Sequence, residues 1–229
     1  ESSSKAKETY KEFCKGKIYL TTPRTAELTK LAENSYRDVN IAFANELSLV
    51  CDKNSINPYE LIDLANKHPR VNILKPGCGV GGHCIAVDPW FIVANDKEQT
   101  KLIKTAREVN IQKTEWVLGK INKEINKYKL EFKKDPNVGV LGLSYKADID
   151  DLRESPALKI SSELTKGNNN ILLCDPNIKY CKDFKISTIK EVLNNSDLIV
   201  ILVAHKEFLN IDFENYHYLD FIGITEKPI

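Results

Sequence analysis

Three stretches in the second half of the chain are apolar almost without a break: NVGVLGL at 137–143, NILLCD at 170–175 and LIVILVA at 198–204. A strand with one wet face alternates apolar and polar residues, whereas a strand covered on both faces reads as a continuous apolar run. Between these runs lie helical signals, one opening at Ser155-Pro156 and one at 188–195. Strands joined through helices need crossover connections, and crossovers make a parallel sheet with helices on its faces. The second half therefore predicts a small Rossmann-like α/β unit, with HYLDFIG at 217–223 as a late strand.

The first half has another texture. From Thr25 to about Asn54, Leu28, Leu31, Ala32, Val39, Ala42, Phe43, Leu47 and Val50 recur at spacings of three and four, with no Gly or Pro between them. That periodicity predicts one long helix, which starts after a break at Pro23. Asn57-Pro58 reads as a cap with proline at the first helical position, opening YELIDLANK, and Asp88-Pro89 as a second such start for WFIVAND. Thr100 to about Tyr128 is helical again, and EFKKDP at 131–136 reads as a polar linker. The fold class is α/β: a lead-in at 1–23, a mainly helical unit at 24–130, and the parallel-sheet unit at 131–229.

Composition narrows the partners. Thirty-three Lys and Arg stand against 32 Asp and Glu, a net charge of +1. Nucleic acid or an anionic membrane would call for a clustered excess of positive charge. The longest apolar run is far short of the roughly 20 residues of a membrane span, and no signal-peptide pattern is present. The six cysteines form no CxxC pair, so we read them as reduced thiols in a cytoplasm. The chain has no Met, even at position 1, which suggests a piece of a longer protein with Glu1 internal to it.

Chemistry is concentrated in the loop KPGCGVGGHC at 75–84. Gly77, Gly79 and Gly82 make a formal GxGxxG, but a dinucleotide fingerprint follows a buried strand and opens a helix, and here a proline precedes it. The glycines are better read as stripping side chains from the loop, so that a ligand can approach its backbone and Cys84. Cys84 lies just before the Asp88-Pro89 helix start, a place where a nucleophilic thiolate is stabilised, and Asp88 could polarise water. On the residues alone, the alternative is that Cys84 is a small core residue and Asp88 an N-cap. Cys78, His83 and Cys84 do not match structural zinc spacing. On the long helix Lys30, Asn34 and Arg37 share a face, either as ligands of an oxygen-rich molecule or as a solvated stripe. Lys146 and Arg153 flank a loop at the carboxyl end of the first strand, where open α/β sheets bind ligands and two cations suit a diphosphate.

The segments RTAELTKLAENSYRDVNIAFANE (24–46), HPRVNILKPG (68–77), GVGGHCIAVDPWF (79–91), TAREVN (105–110) and GLSYKADIDDLRESPA (142–157) together resemble the UDP-glucose/GDP-mannose dehydrogenase family. The resemblance implies a central helical dimerisation domain and a C-terminal UDP-binding domain. Residues 1–23 would be a remnant of an NAD-binding domain that is otherwise absent. It implies oxidation of C6 of a UDP-sugar to a carboxylate, with NAD as cofactor and a cysteine thiohemiacetal and thioester as intermediates. UDP-N-acetyl-D-mannosamine is the expected substrate, with UDP-N-acetylglucosamine and UDP-glucose as alternatives. Cys84, Lys30, Asn34 and Asp88 then match the family's catalytic positions. Lys30, Asn34, Arg37, His68, Arg70, Gly81, Tyr145 and Lys146 match its substrate contacts, and Arg153 matches a residue that reaches NAD. A homodimer through the central helix is implied, with the arginine of the HPR segment reaching across it. One departure stands out: the family often places a basic residue two after the Asp of the last strand, and Asp220-Phe221-Ile222 has none.

Overall fold

The computed structural model describes residues 2–167, 170–225 and 227–229. A helix the sequence reading missed, α1 (Ser2–Lys11), opens the chain and buries none of its residues. α2 (Pro23–Lys53) follows. Pro23 is its first helical residue rather than a break, because the Thr22 hydroxyl caps the Thr25 amide and proline has no amide to satisfy. α3 (Pro58–Ala65) begins as expected, with the Asn57 side chain accepting from the amides of Tyr59 and Glu60. α4 (Asp88–Asn95) and α5 (Lys101–Phe132) complete the helical part. α5 runs two residues into the stretch expected to be linker, and ends at Lys133 in the left-handed region.

Four parallel strands follow: β1 (Asn137–Leu141), β2 (Asn170–Cys174), β3 (Leu198–Ile201) and β4 (Tyr218–Asp220), in the order β2-β1-β3-β4. Register runs Val138↔Ile171, Val138↔Leu198 and Ile199↔Tyr218. The late strand is shorter than the 217–223 run expected for it. It stops at Asp220 because the next residues turn back to give that carboxylate the amides of Ile222, Gly223, Ile224 and Thr225. α6 (Pro156–Lys166) crosses from β1 to β2, and α7 (Ile189–Asn195) leads into β3. The chain thus moves from β1 to one side and then returns to the other, which leaves a crevice at the carboxyl ends of β1 and β3.

One face of the sheet packs Val138, Val140, Leu198 and Val200 against Ile160 and Leu164 of α6 and against Val117, Ile121 and Ile125 of α5. The other face packs Leu141, Ile199 and Ile201 on Val192 of α7, Phe208 and Phe213. α5 therefore belongs to both halves, since its second part helps to cover the sheet. Burying each of these aliphatic side chains contributes about 1.5–3 kcal/mol. Tyr59 of α3 adds a second link, its hydroxyl donating to Phe221 O at 2.9 Å.

α2 buries a largely polar face, with its apolar pattern only partly covered. Its buried residues are Asn34, Ser35, Asp38, Ala42, Ala44, Asn45, Ser48 and Cys51. They meet α5 in a polar ladder: Arg107 to Asp38 at 2.6 Å, Asn45 to Asn110 at 2.9 Å, Lys113 to Ser48 at 2.8 Å and Lys120 to Asp52 at 2.6 Å. Leu28, Tyr36, Phe43 and Val50 face outward, Tyr36 being 71% and Phe43 57% exposed.

Candidate functional site

Asn34, on the inward face of α2, donates to Asp88 Oδ2 at 2.5 Å. This joins α2 to the start of α4 and corrects the capping role expected for Asp88. The N-cap is Val87, and no side chain caps the helix. Asp88 is instead the first helical residue, where the helix dipole favours a carboxylate. The Cys84 carbonyl accepts the amides of Val87 and Asp88, so the thiol sits one turn before the helix. Cys84 is partly exposed and free.

Cys78, six residues earlier, has a different environment. It is buried in the sheet core with Sγ 3.5 Å from Leu202 O, and burial pushes its thiol up to about 12. His83, by contrast, is exposed.

The loop between the two cysteines is clamped from both sides. Asn45 Oδ1 accepts the Gly77 amide at 2.9 Å, and Thr114 donates to Cys78 O at 2.8 Å. Gly81 lies against the opposite half of the chain, where a Cβ would come within 2.6 Å of Glu154 O and of Tyr145 Cβ. The Gly82 amide donates to Arg153 O at 2.9 Å. Gly79, Gly81 and Gly82 thus serve close packing, their space being filled by protein, whereas Gly77 has open space beside it and lines a cavity. The loop neither follows a strand nor opens a helix, so it is not a dinucleotide fingerprint.

A cavity of about 500 Å³ opens at the carboxyl ends of β1 and β3, lined among others by Lys75, Gly79, Tyr145, Lys146, Pro156 and Val203. This is the crevice that the strand order creates. Lys146 is exposed at its rim and Tyr145 is half-buried. Arg153 is held by a bidentate ion pair with Asp151, and the Arg153 hydrogen bonds keep that carboxyl at about 2.

The remaining expected residues are less closely gathered. Lys30 is exposed and paired with Glu33 at 3.4 Å. Arg37 points to solvent. His68 and Arg70 share an exposed turn after α3, with His68 Nδ1 accepting the Arg70 amide at 3.3 Å. Asp220, flagged for its missing basic neighbour, is fully buried. Its carboxylate also takes the Thr225 hydroxyl, in addition to the four backbone amides that follow it.

Sequence reasoning missed Asp175 and His205, both fully buried beneath the Tyr145–Lys146 loop. Burial opposes ionisation of Asp175, but the His205 ring and the amides of Leu143 and Ser144 outweigh it and hold the carboxyl at about 2. The one advance signal was an Asp ending an apolar strand run, in NILLCD. Among the described residues, Asp148, His205 and Glu207 bring potential metal-ligand atoms within 4.8 Å of one another. His205 Nδ1, however, already accepts the Asp148 amide at 3.0 Å, so coordination there would break the loop's own bond.

A doubly wound parallel sheet, a glycine loop bearing a thiol, and a cavity at the strand ends define a nucleotide-binding α/β protein with a fused helical unit. The chain belongs to the UDP-glucose/GDP-mannose dehydrogenase family: residues 24–112 match its central domain and residues 139–220 its UDP-binding domain. It is similar to UDP-N-acetyl-D-mannosamine dehydrogenases. It is 53% identical to the one from Campylobacter jejuni over 88% of this chain and 50% of the relative. It is 47% identical to that of Escherichia coli K12 over 94% of this chain and 53% of the relative. The solved UDP-D-ManNAc dehydrogenase of Pyrococcus horikoshii superposes with a TM-score of 0.86 at 37% identity, over all of this chain and 55% of that structure. The chain thus spans about half the length of the relatives it matches.

Proposed function

We propose that this chain forms the central and nucleotide-binding portions of an NAD-dependent UDP-sugar 6-dehydrogenase that converts UDP-N-acetyl-D-mannosamine to UDP-N-acetyl-D-mannosaminuronate. The observation that carries the reading is the packing of the Cys84-bearing glycine loop directly on the Tyr145 loop, which joins a thiol to a nucleotide-sized cavity. The names and identities of the relatives support the substrate class.

In this reading the UDP moiety lies in the crevice at the ends of β1 and β3, with Tyr145 against it and Lys146 on the diphosphate. Lys30, Asn34 and Arg37 face the sugar, while Gly81, packed on Tyr145 and Glu154, sets the course of the loop. Cys84 Sγ adds to the C6 aldehyde, forming a C–S bond and a thiohemiacetal. After oxidation to the thioester, water attacks the carbonyl, the C–S bond breaks, and the thiol is restored as the acid leaves. The Asn34–Asp88 pair holds and polarises that water. Lys30 exchanges its Glu33 partner for the oxygen that becomes negative as Sγ adds. NAD supplies the oxidising chemistry in this family, but the described residues fit no dinucleotide, so only an edge contact from Arg153 is assigned to it. The outward apolar face of α2 would pair with a second copy, bringing His68 and the partner's equivalent of Arg70 towards the sugar.

Isothermal calorimetry of the 229-residue chain with UDP-N-acetyl-D-mannosamine, UDP-N-acetylglucosamine and UDP-glucose tests the binding half. We expect binding, tightest for the first. Lys146→Ala should weaken it by roughly tenfold or more, since a charge-assisted bond contributes about 1.5–3 kcal/mol. Equal affinity in parent and variant would return Lys146 to an ordinary loop cation. The activity half calls for NADH release from a polypeptide of the relatives' full length that carries residues 1–229.

A further inference from the structure

The loop after β1 is fastened from the ends of β2 and β3. Its conformation is demanding: Gly142 has φ +96° and Asp148 φ +60°, so backbone amides turn inward where a helix or sheet would have satisfied them. Asp175, just after β2, accepts the amides of Leu143 and Ser144 at 2.8 and 2.9 Å. His205, after β3, accepts the Asp148 amide on Nδ1 at 3.0 Å. An amide can only donate, so Nδ1 carries no proton and the ring proton is on Nε2. Nε2 lies 3.0 Å from Asp175 Oδ2 and 3.2 Å from Ser144 Oγ, and both can accept from it. The Asn177 side chain completes the set with a second bond to Nδ1 at 3.0 Å.

We propose that His205 is the positioning residue of the nucleotide loop. Its neutral imidazole, protonated on Nε2, sets the course of residues 143–148 and so presents Tyr145 and Lys146 to the diphosphate of a UDP-sugar. This rests on the reading of that cavity as the UDP site. A second proton on Nδ1 would face the Asp148 amide donor to donor. The ring could then pair only with the Asp148 carboxylate, 3.9 Å away, or with Glu207 nearby, and the amide would be released. The other groups facing the ring are Asp175, Ser144, Asn177 and the edge-on Phe208 ring, with centroids 5.4 Å apart.

The test uses the whole chain and UDP-N-acetyl-D-mannosamine, whose diphosphate diester does not itself titrate between pH 5.5 and 8. Ring ¹⁵N shifts should show the Nε2–H tautomer at pH 7.5 and a slowly exchanging Asp148 amide. In His205→Gln, affinity for the nucleotide sugar should be roughly tenfold weaker at pH 7.5, from the loss of buried bonds, and the Asp148 amide should exchange faster. An Nδ1–H tautomer or an imidazolium at pH 7.5 overturns the proposal on the unmutated chain, whatever the variant does. So does a folded His205→Gln that keeps parental affinity and parental protection of the Asp148 amide. If the parent chain does not bind the nucleotide sugar at all, the UDP-site reading fails, and the ring tautomer with the Asp148 amide then decides the role of His205 in the loop.

Discussion

Cys84 and Cys78 lie six residues apart, and burial separates their chemistry. Cys84 is accessible beside the Asn34–Asp88 pair, whereas Cys78 is a core residue. In a polypeptide of the relatives' full length, Cys84→Ser should abolish acid formation and leave the melting temperature near that of the parent, because a hydroxyl is a far weaker nucleophile than a thiolate. Full turnover in that variant would end the covalent mechanism. Cys78→Ser, by contrast, should cost about 1–3 kcal/mol in stability, because it places a hydroxyl in the sheet core. Lys113 is the other informative residue. It is 2% exposed, with Nζ 3.8 Å from the centroid of the Trp116 ring. Burial pushes it down to about 8 from 10.5. Between these values the unfolded chain binds more protons, so the folded state gains stability as pH rises and the effect is flat below about 8. The stability of the parent minus that of Lys113→Met, measured by urea unfolding, should therefore rise from pH 8 to 10.5. A constant difference would show that the ammonium is still hydrated in the folded protein.

At the scale of elements, α2 and α5 are joined by a ladder of buried hydrogen bonds. Asn110 is the pivotal rung: it donates to Asp38 and accepts from Asn45, which in turn holds the Gly77 amide. Burial pushes the Asp38 carboxyl above its ordinary range, against the pull of Arg107 and Asn110. Asn110→Ala leaves buried groups unpaired on two residues and should cost about 1–3 kcal/mol, read as a lower urea midpoint at unchanged slope. A silent substitution would mean that water enters the seam and replaces the amide. The outward face of α2 carries the complementary expectation. If it pairs with a second copy, light scattering at concentrations on the order of tens of micromolar should show a dimer. Phe43→Glu should shift it to monomer, since a charge would be buried in an apolar contact. A monomeric parent would remove the dimer from the proposed function.

For the whole molecule, α5 is the joint: it grips α2 and the glycine loop at one end and covers the sheet at the other. The helical unit and the parallel-sheet unit are therefore mechanically one body. The 229-residue chain should bind the UDP-sugar yet leave NAD⁺ unreduced, since its glycine loop neither follows a strand nor opens a helix as a dinucleotide fingerprint does. NADH produced by the purified chain would overturn that assignment.

By itself the sequence determined the order of the helices from α2 to α7 and of the four strands, and that the sheet is parallel, though it left α1 unread. Those follow from local periodicity, caps and continuous apolar runs, which act over a few residues. It also brought Cys84, Asp88, Asn34, Tyr145 and Lys146 forward as candidates, because their motifs are contiguous. Only the tertiary structure decided that α2 turns its polar face inward. The choice depends on Arg107, Asn110 and Lys113, more than sixty residues away, offering partners that desolvated Asp38, Asn45 and Ser48 require. It likewise decided that Asp88 binds Asn34 instead of capping a helix, and that His205 meets Asp175 and the Asp148 amide. Each of those bonds joins separate elements, and no local pattern encodes a partner that arrives only when the chain has folded.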